Sequence, residues 1–265
     1  VRMGTDAKAD IFTMLVRIAL PEDEIQAKEY YENPDVVILR ITPKVKKTID
    51  PFPTPVLQFG GTGVSEADLV PELVAEQNEL VKKVKEAYIG YTLKELPSTD
   101  FSDRYGFACI DNFNTLLKLK TNCLGDNLDT QYIFTVPFTL KKTSEEFVIV
   151  VGVDHTKTKK TIYDNHGVYD TKKLGGMAGV TNQEFEGGAE QYNPGNKFNS
   201  YVYAYKFSRD CAEDPYCVEI SDTFPGVPEN ESIVLISRTY LEEETKVRPD
   251  INEIIHPRYF IFKKN

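Results

Sequence analysis

The chain has 265 residues, 41% of them hydrophobic, with 15 Tyr, 15 Phe and no Trp. That content supports a sizeable buried core and excludes the weakly hydrophobic composition of a disordered chain. The formal net charge of −10, from 41 acidic and 31 basic residues, argues against nucleic acid and against an anionic membrane surface, both of which select basic patches.

In chain order, Ile11, Met14, Leu15 and Ile18 have helical spacing, and the pattern predicts a helix from Asp6 to Leu20, ended by Pro21. Val36 to Ile41 reads as a strand from its β-branched content. Residues 42–63 carry prolines at 43, 51, 53 and 55 and glycines at 60, 61 and 63, and so read as an irregular connection. Gly60-Gly61-Thr62-Gly63 superficially suggests phosphate binding. It lacks the lysine that such loops use and reads as a hinge or turn. Ser65 caps the next helix, with Asp68 three residues on as an imperfect capping box. Leu73, Val74, Gln77, Leu80, Val81, Val84 and Tyr88 then form one stripe, the most secure helix in the chain. A further helix is expected around Ile110–Leu119.

Beyond residue 120 the pattern changes. Gln131–Phe138, Glu146–Val153, Thr161–Val168, Ser200–Phe207, Ile233–Thr239 and Arg258–Phe262 read as strands. Segregated runs of this kind predict an α+β fold. A helical N-terminal part would pack on a mostly antiparallel sheet or barrel-like C-terminal part, in one domain over residues 1–265, with a subdivision near 120 as the alternative. Residues 170–199, with six glycines and one proline, read as a long surface excursion. The longest apolar run, Phe147 to Val153, is too short to cross a bilayer and, lacking alternation, reads as a strand buried on both faces.

The four cysteines have none of the close spacings of a zinc site. Cys211 and Cys217 flank an acidic turn containing Pro215 and read as a disulfide. Cys109 and Cys123 are a second candidate pair. A bridge places the chain outside the cell or in the secretory lumen, with two reduced thiols in a cytoplasmic protein as the alternative. The single Asn-Glu-Ser sequon at Asn230 and a first residue, Val1, that is not Met fit a processed, secreted product.

Four constellations carry candidate chemistry, one of them the chain end, where Arg248 or Arg258 could hold a carboxylate, either a ligand's or one from this chain. Asp154 and His155 end one strand, and Asp164 and His166 lie on the next. Two histidines and two carboxylates suggest a general base oriented by a carboxylate. A metal is disfavoured. A hairpin turning at 158–159 would pair His155 with Ile162 and His166 with Val151, which separates the imidazoles by about 13 Å at about 3.3 Å per residue. Tyr201, Tyr203, Tyr205 and Phe207 share one strand face by alternation, and such a wall suits a planar or apolar ligand, or else packing between sheets. Asp126, Asn127 and Asp129 in the 125–130 loop offer oxygens for calcium or pocket-lining carboxylates, or else only a turn. No cofactor is implied.

These readings converge on a secreted enzyme acting on a small, partly aromatic or apolar molecule, with His155 or His166 transferring a proton in a pocket lined by Tyr203 and its neighbours. The alternative is a secreted small-molecule-binding or interaction protein without catalysis. An imidazole lining a cavity distinguishes the first from the second.

Overall fold

The computed structural model of the protein describes residues 24–34, 36–39, 44, 60–100, 129–172 and 175–264. The chain divides into two compact units, Val1–Leu57 and Gln58–Asn265, and the boundary falls in the proline- and glycine-rich connection. In the first unit, helix α1 spans Glu24–Glu32. Of the strand expected over residues 36–41, the described residues 36–39 form none, Val36, Val37, Ile38 and Leu39 are exposed, and residues 40 and 41 lie outside the described residues. A β-branched run becomes a strand only when a neighbour completes its hydrogen bonds, and no ladder partner meets it among the described residues. The helices expected at 6–20 and 110–119 lie outside the described residues, as do Cys109, Cys123 and Asp126.

The second unit is α+β and mostly strand. Helices α2 (Glu66–Leu69) and α3 (Leu73–Ala87) precede β1 (Tyr91–Leu96), β2 (Ser98–Asp100), β3 (Thr130–Thr135), β4 (Glu146–Val153), β5 (Tyr163–Asp170), β6 (Gly176–Thr181), β7 (Val202–Ser208), β8 (Cys217–Glu219), β9 (Ile233–Tyr240) and β10 (Arg258–Lys264). They form two five-stranded sheets, in the orders β1-β10-β4-β7-β8 and β2-β3-β9-β5-β6. Every pairing is antiparallel except β7 with β8. Each sheet ends in two edge strands, so among the described residues no barrel closes.

The sheets pack face to face. Val148, Val150, Tyr203, Tyr205, Phe207, Tyr259 and Ile261 of the first meet Val168, Val180, Ile233 and Leu235 of the second. The opposite face of the first sheet carries Phe147, Ile149, Val151, Val202, Phe260 and Phe262, and the stripe of α3, with Leu73, Leu80, Val81 and Val84, covers it. β4 is therefore buried along its whole length, which is why it reads as apolar without alternation. Each such side chain contributes roughly 1.5–3 kcal/mol.

Two connections differ from expectation. β4 and β5 do not form a hairpin. β4 pairs with β10 and β7 in one sheet, and β5 pairs with β9 and β6 in the other. A strand buried on both faces and flanked on both edges has no edge left for its successor, so residues 154–162 cross between sheets. The stretch 170–199 is also more than a surface excursion, because it supplies β6 and buries Val180, Phe185 and Ala189. Gly188 permits this, since a Cβ there would lie 2.6 Å from the carbonyl oxygen of Ala204.

Candidate functional site

The crossover places polar side chains of both sheets in the space between them. On β5, Asp164 and His166 alternate with outward residues and face the interior, both fully buried. On β9, Thr239 lies opposite Asp164 and Ser237 opposite His166. The first sheet contributes Asp154 and His155 from the end of β4, Tyr203 from β7 and Tyr259 from β10. Glu66 enters from α2, whose start is held by a capping box. Asp68 N donates to Ser65 Oγ at 3.2 Å, and Ser65 N donates to Asp68 Oδ2 at 3.0 Å.

Glu66 is the hub. Its Oε1 accepts from His155 Nδ1 at 2.8 Å and from Thr158 Oγ1 at 2.6 Å, while Oε2 accepts from Ile255 N at 2.6 Å. Burial alone would push the His155 imidazole down, but the Glu66 carboxylate more than reverses this and holds it at about 9. Burial also opposes ionisation of Glu66, yet His155 and these donors bring it below its ordinary value. At neutral pH the two form a buried ion pair. The other ring nitrogen of His155, Nε2, faces Asp164 Oδ2 at 4.0 Å. Neither Asp164 carboxylate oxygen, nor Thr239 Oγ1 across the ladder, has a hydrogen-bond partner among the described residues. Burial raises the Asp164 carboxyl to about 7 despite the His155 charge.

His166 lies one rung deeper. Its Nε2 meets the Tyr203 hydroxyl, and its Nδ1 lies 3.3 Å from the Tyr259 hydroxyl. Burial, then the charge on His155, lowers it to about 3, so the ring is neutral, with one nitrogen donating and the other accepting. The Tyr203 ring stacks on Phe185 with centroids 3.9 Å apart. Its hydroxyl sits over Gly152, where any Cβ would collide with it. Beside the network, Lys160 Nζ, 3% exposed, donates to Thr62 Oγ1 at 2.7 Å, Glu242 Oε1 at 2.7 Å and Glu253 Oε2 at 2.6 Å.

The structure thus brings together His155, His166, Asp154, Asp164 and Tyr203. Asp154 is 5% exposed and accepts from Thr156 N at 3.0 Å and Thr156 Oγ1 at 2.5 Å. Tyr205 and Phe207 belong to the core between the sheets, but Tyr201 packs on the helical side with Phe198. Alternation does not extend to Tyr201 because its backbone is in a turn before β7 begins. The aromatic row is therefore shared between two cores. Asp129 is exposed just before β3, and its carbonyl accepts from Leu241 N at 2.9 Å. No group of three His, Cys, Asp or Glu side chains able to hold a metal occurs among the described residues. Cys211 and Cys217 are bridged, with Cα atoms 5.7 Å apart, and the bridge ties the end of β7 to β8.

Sequence reasoning missed Glu66, Thr158, Lys160, Thr239 and Tyr259. A capped Glu and a Lys inside a Thr-Lys-Lys-Thr turn read as surface residues, and no local pattern marks them as buried. It also missed a cleft of about 420 Å³ where α3 meets β10, lined by Asn78, Val81, Lys82, Lys85, Glu86, Ile89 and Arg258. There Lys85 Nζ sits 4.7 Å from the Phe260 ring centre, Arg258 grips Glu95 through two hydrogen bonds of 2.7 and 2.8 Å, and Ile89 is 84% exposed. Comparison with known proteins yields no family model, no curated protein and no solved structure that matches this chain.

Proposed function

We propose that the chain is a secreted or lumenal binding protein without catalysis, which takes a small, partly apolar molecule in the α3–β10 cleft. The observation that carries this reading is the enclosure of the imidazoles. His155 and His166 are 1% and 0% exposed, and both rings engage internal partners. A general base must reach its substrate within hydrogen-bond distance. The cleft, by contrast, is open and combines apolar Val81 and Ile89 with the cations Lys82, Lys85 and Arg258 and the carboxylate of Glu86. The Cys211–Cys217 bridge supports an oxidising compartment, and no helix among the described residues is long and apolar enough to cross a membrane.

The second reading, a proton-transfer enzyme using His155 or His166, draws its support from Asp164. A buried carboxyl at about 7, beside an imidazole at about 9, is the kind of perturbed pair that functional sites use. One experiment separates the two. Backbone amide spectra are recorded while benzyl alcohol and benzoate are added, and the folded protein is separately treated with diethyl pyrocarbonate. The binding reading expects shifts at Asn78, Lys85 and Ile89, with Lys85→Glu weakening benzoate more than benzyl alcohol. It also expects modification confined to exposed His256. Shifts centred on His155 and His166, modification of either ring, or no shift anywhere overturns it.

A further inference from the structure

The turn that leads into β9 carries the chain's Asn-Glu-Ser sequon, Asn230 to Ser232. The flanks of this turn are fixed. Glu231 N donates to Pro228 O at 2.9 Å and closes it. The buried Arg209 guanidinium donates to Leu140 O at 2.7 Å, Val227 O at 2.5 Å and Pro228 O at 3.2 Å, anchoring the incoming side. Thr171 donates to Ser232 O through its backbone N at 3.3 Å and its hydroxyl at 3.2 Å, anchoring the outgoing side. Glu229 accepts from Lys142 N at 3.0 Å, and Glu231 pairs with Lys172 at 2.6 Å. Asn230, between these two tethered neighbours, is exposed at the apex.

We infer that Asn230 is an N-glycosylation site, an inference that rests on the secretory reading. In a chain of this size a sequon also arises by chance. Its place in the fold separates this one from such a coincidence, and the nearby disulfide supports the compartment that it needs. First, the Asn stands at the apex of a turn that is held from both sides, so a bulky hydrophilic substituent projects into water without displacing a core side chain. Second, the Arg209 anchor lies two residues before Cys211, whose bridge to Cys217 fits the oxidising compartment where glycan transfer occurs. The donor is an oligosaccharide linked to a polyprenyl pyrophosphate. Asn230 Nδ2 bonds to the anomeric carbon, the bond from that carbon to the pyrophosphate oxygen breaks, and the polyprenyl pyrophosphate leaves with the electron pair. Nδ2 gives up one proton, and nothing is oxidised or reduced.

The test translates the full chain, fused to a cleavable leader, in a cell-free system containing endoplasmic-reticulum microsomes. Wild type, Asn230→Gln and Ser232→Ala are compared by intact mass before and after peptide N-glycosidase, with thiol alkylation on the same samples. One glycan is expected on the wild type, removed by the glycosidase and absent from both variants. A wild type that is translocated and bridged but carries no glycan overturns the site and leaves the secretory reading standing. A glycan that persists in Asn230→Gln also overturns the site. Alkylatable Cys211 and Cys217 in the translocated chain fail the secretory reading, whatever the glycan shows.

Discussion

His155 Nδ1 and Glu66 Oε1 stand 2.8 Å apart, 89 residues apart in sequence, with side chains 1% and 0% exposed. The pair joins α2 to the crossover between the sheets, and Ile255 N on the same carboxylate adds the segment before β10. Three parts of the chain that no local signal relates are thus closed on one carboxylate.

Removing one charge of this pair leaves the other buried and uncompensated, a defect that costs roughly 3–5 kcal/mol. Glu66→Gln is expected to lower stability by about that amount, read from the urea midpoint at neutral pH. A midpoint within error of wild type would show that the pair contributes nothing net.

The pH dependence follows from three shifts. His155 is held at about 9 against an ordinary 6.5, so its contribution is complete below 6.5 and is lost as pH rises through about 9. His166 is lowered to about 3 from 6.5, so the fold loses stability as pH falls from 6.5 through about 3. Asp164 is raised to about 7 from 3.8, so the folded state keeps a proton that the unfolded chain releases, and stability declines as pH climbs from 3.8 to about 7. Asp164→Asn abolishes this last decline. Relative to wild type, the variant is expected to gain roughly 2–4 kcal/mol more at about pH 8 than at about pH 4. Urea titrations at both pH values check this, and an equal offset at the two would refute it.

Lys160 bridges Thr62, Glu242 and Glu253, and Glu253 also accepts from Thr62 N at 3.0 Å and Gly63 N at 2.6 Å. Lys160→Met keeps the apolar stem but leaves two carboxylates facing each other without a cation. The expected result is a loss of about 3 kcal/mol, with new proteolytic cleavage concentrated at residues 60–63 and 241–253. Cleavage spread evenly over the unit would contradict this local role.

The Cys211–Cys217 bridge closes a short loop between β7 and the edge strand β8. On the loop-entropy model such a bridge contributes about 2 kcal/mol. Cys211→Ser with Cys217→Ser is expected to lose that stability, and amide exchange should accelerate first in Val218 and Glu219 while Val148–Val151 on β4 remain protected. Uniform acceleration through both sheets would mean that the bridge braces the whole fold.

Part of the buried polar network was legible before the fold was, whereas Glu66 at its hub and the cleft beside α3 were not. The sequence places Asp154, His155, Asp164 and His166 as polar residues at strand ends or amid strand pattern, and Tyr203 on an aromatic face. The helix of Leu73–Ala87, the two-sided burial of Phe147–Val153 and the Cys211–Cys217 bridge also follow from local spacing and composition. Period and composition report which face a residue presents, and they act over a few residues.

What only the tertiary structure decided is which faces meet. Backbone ladders form between any two extended segments, so nothing local assigns β4 to one sheet and β5 to the other. That assignment converts an expected hairpin into a crossover and closes both histidines between the sheets. It sets Glu66 against His155, Tyr259 against His166 and Lys160 against Glu242, across 89, 93 and 82 residues. A buried charge needs a partner within a few ångströms, and only the topology determines which residue that partner is.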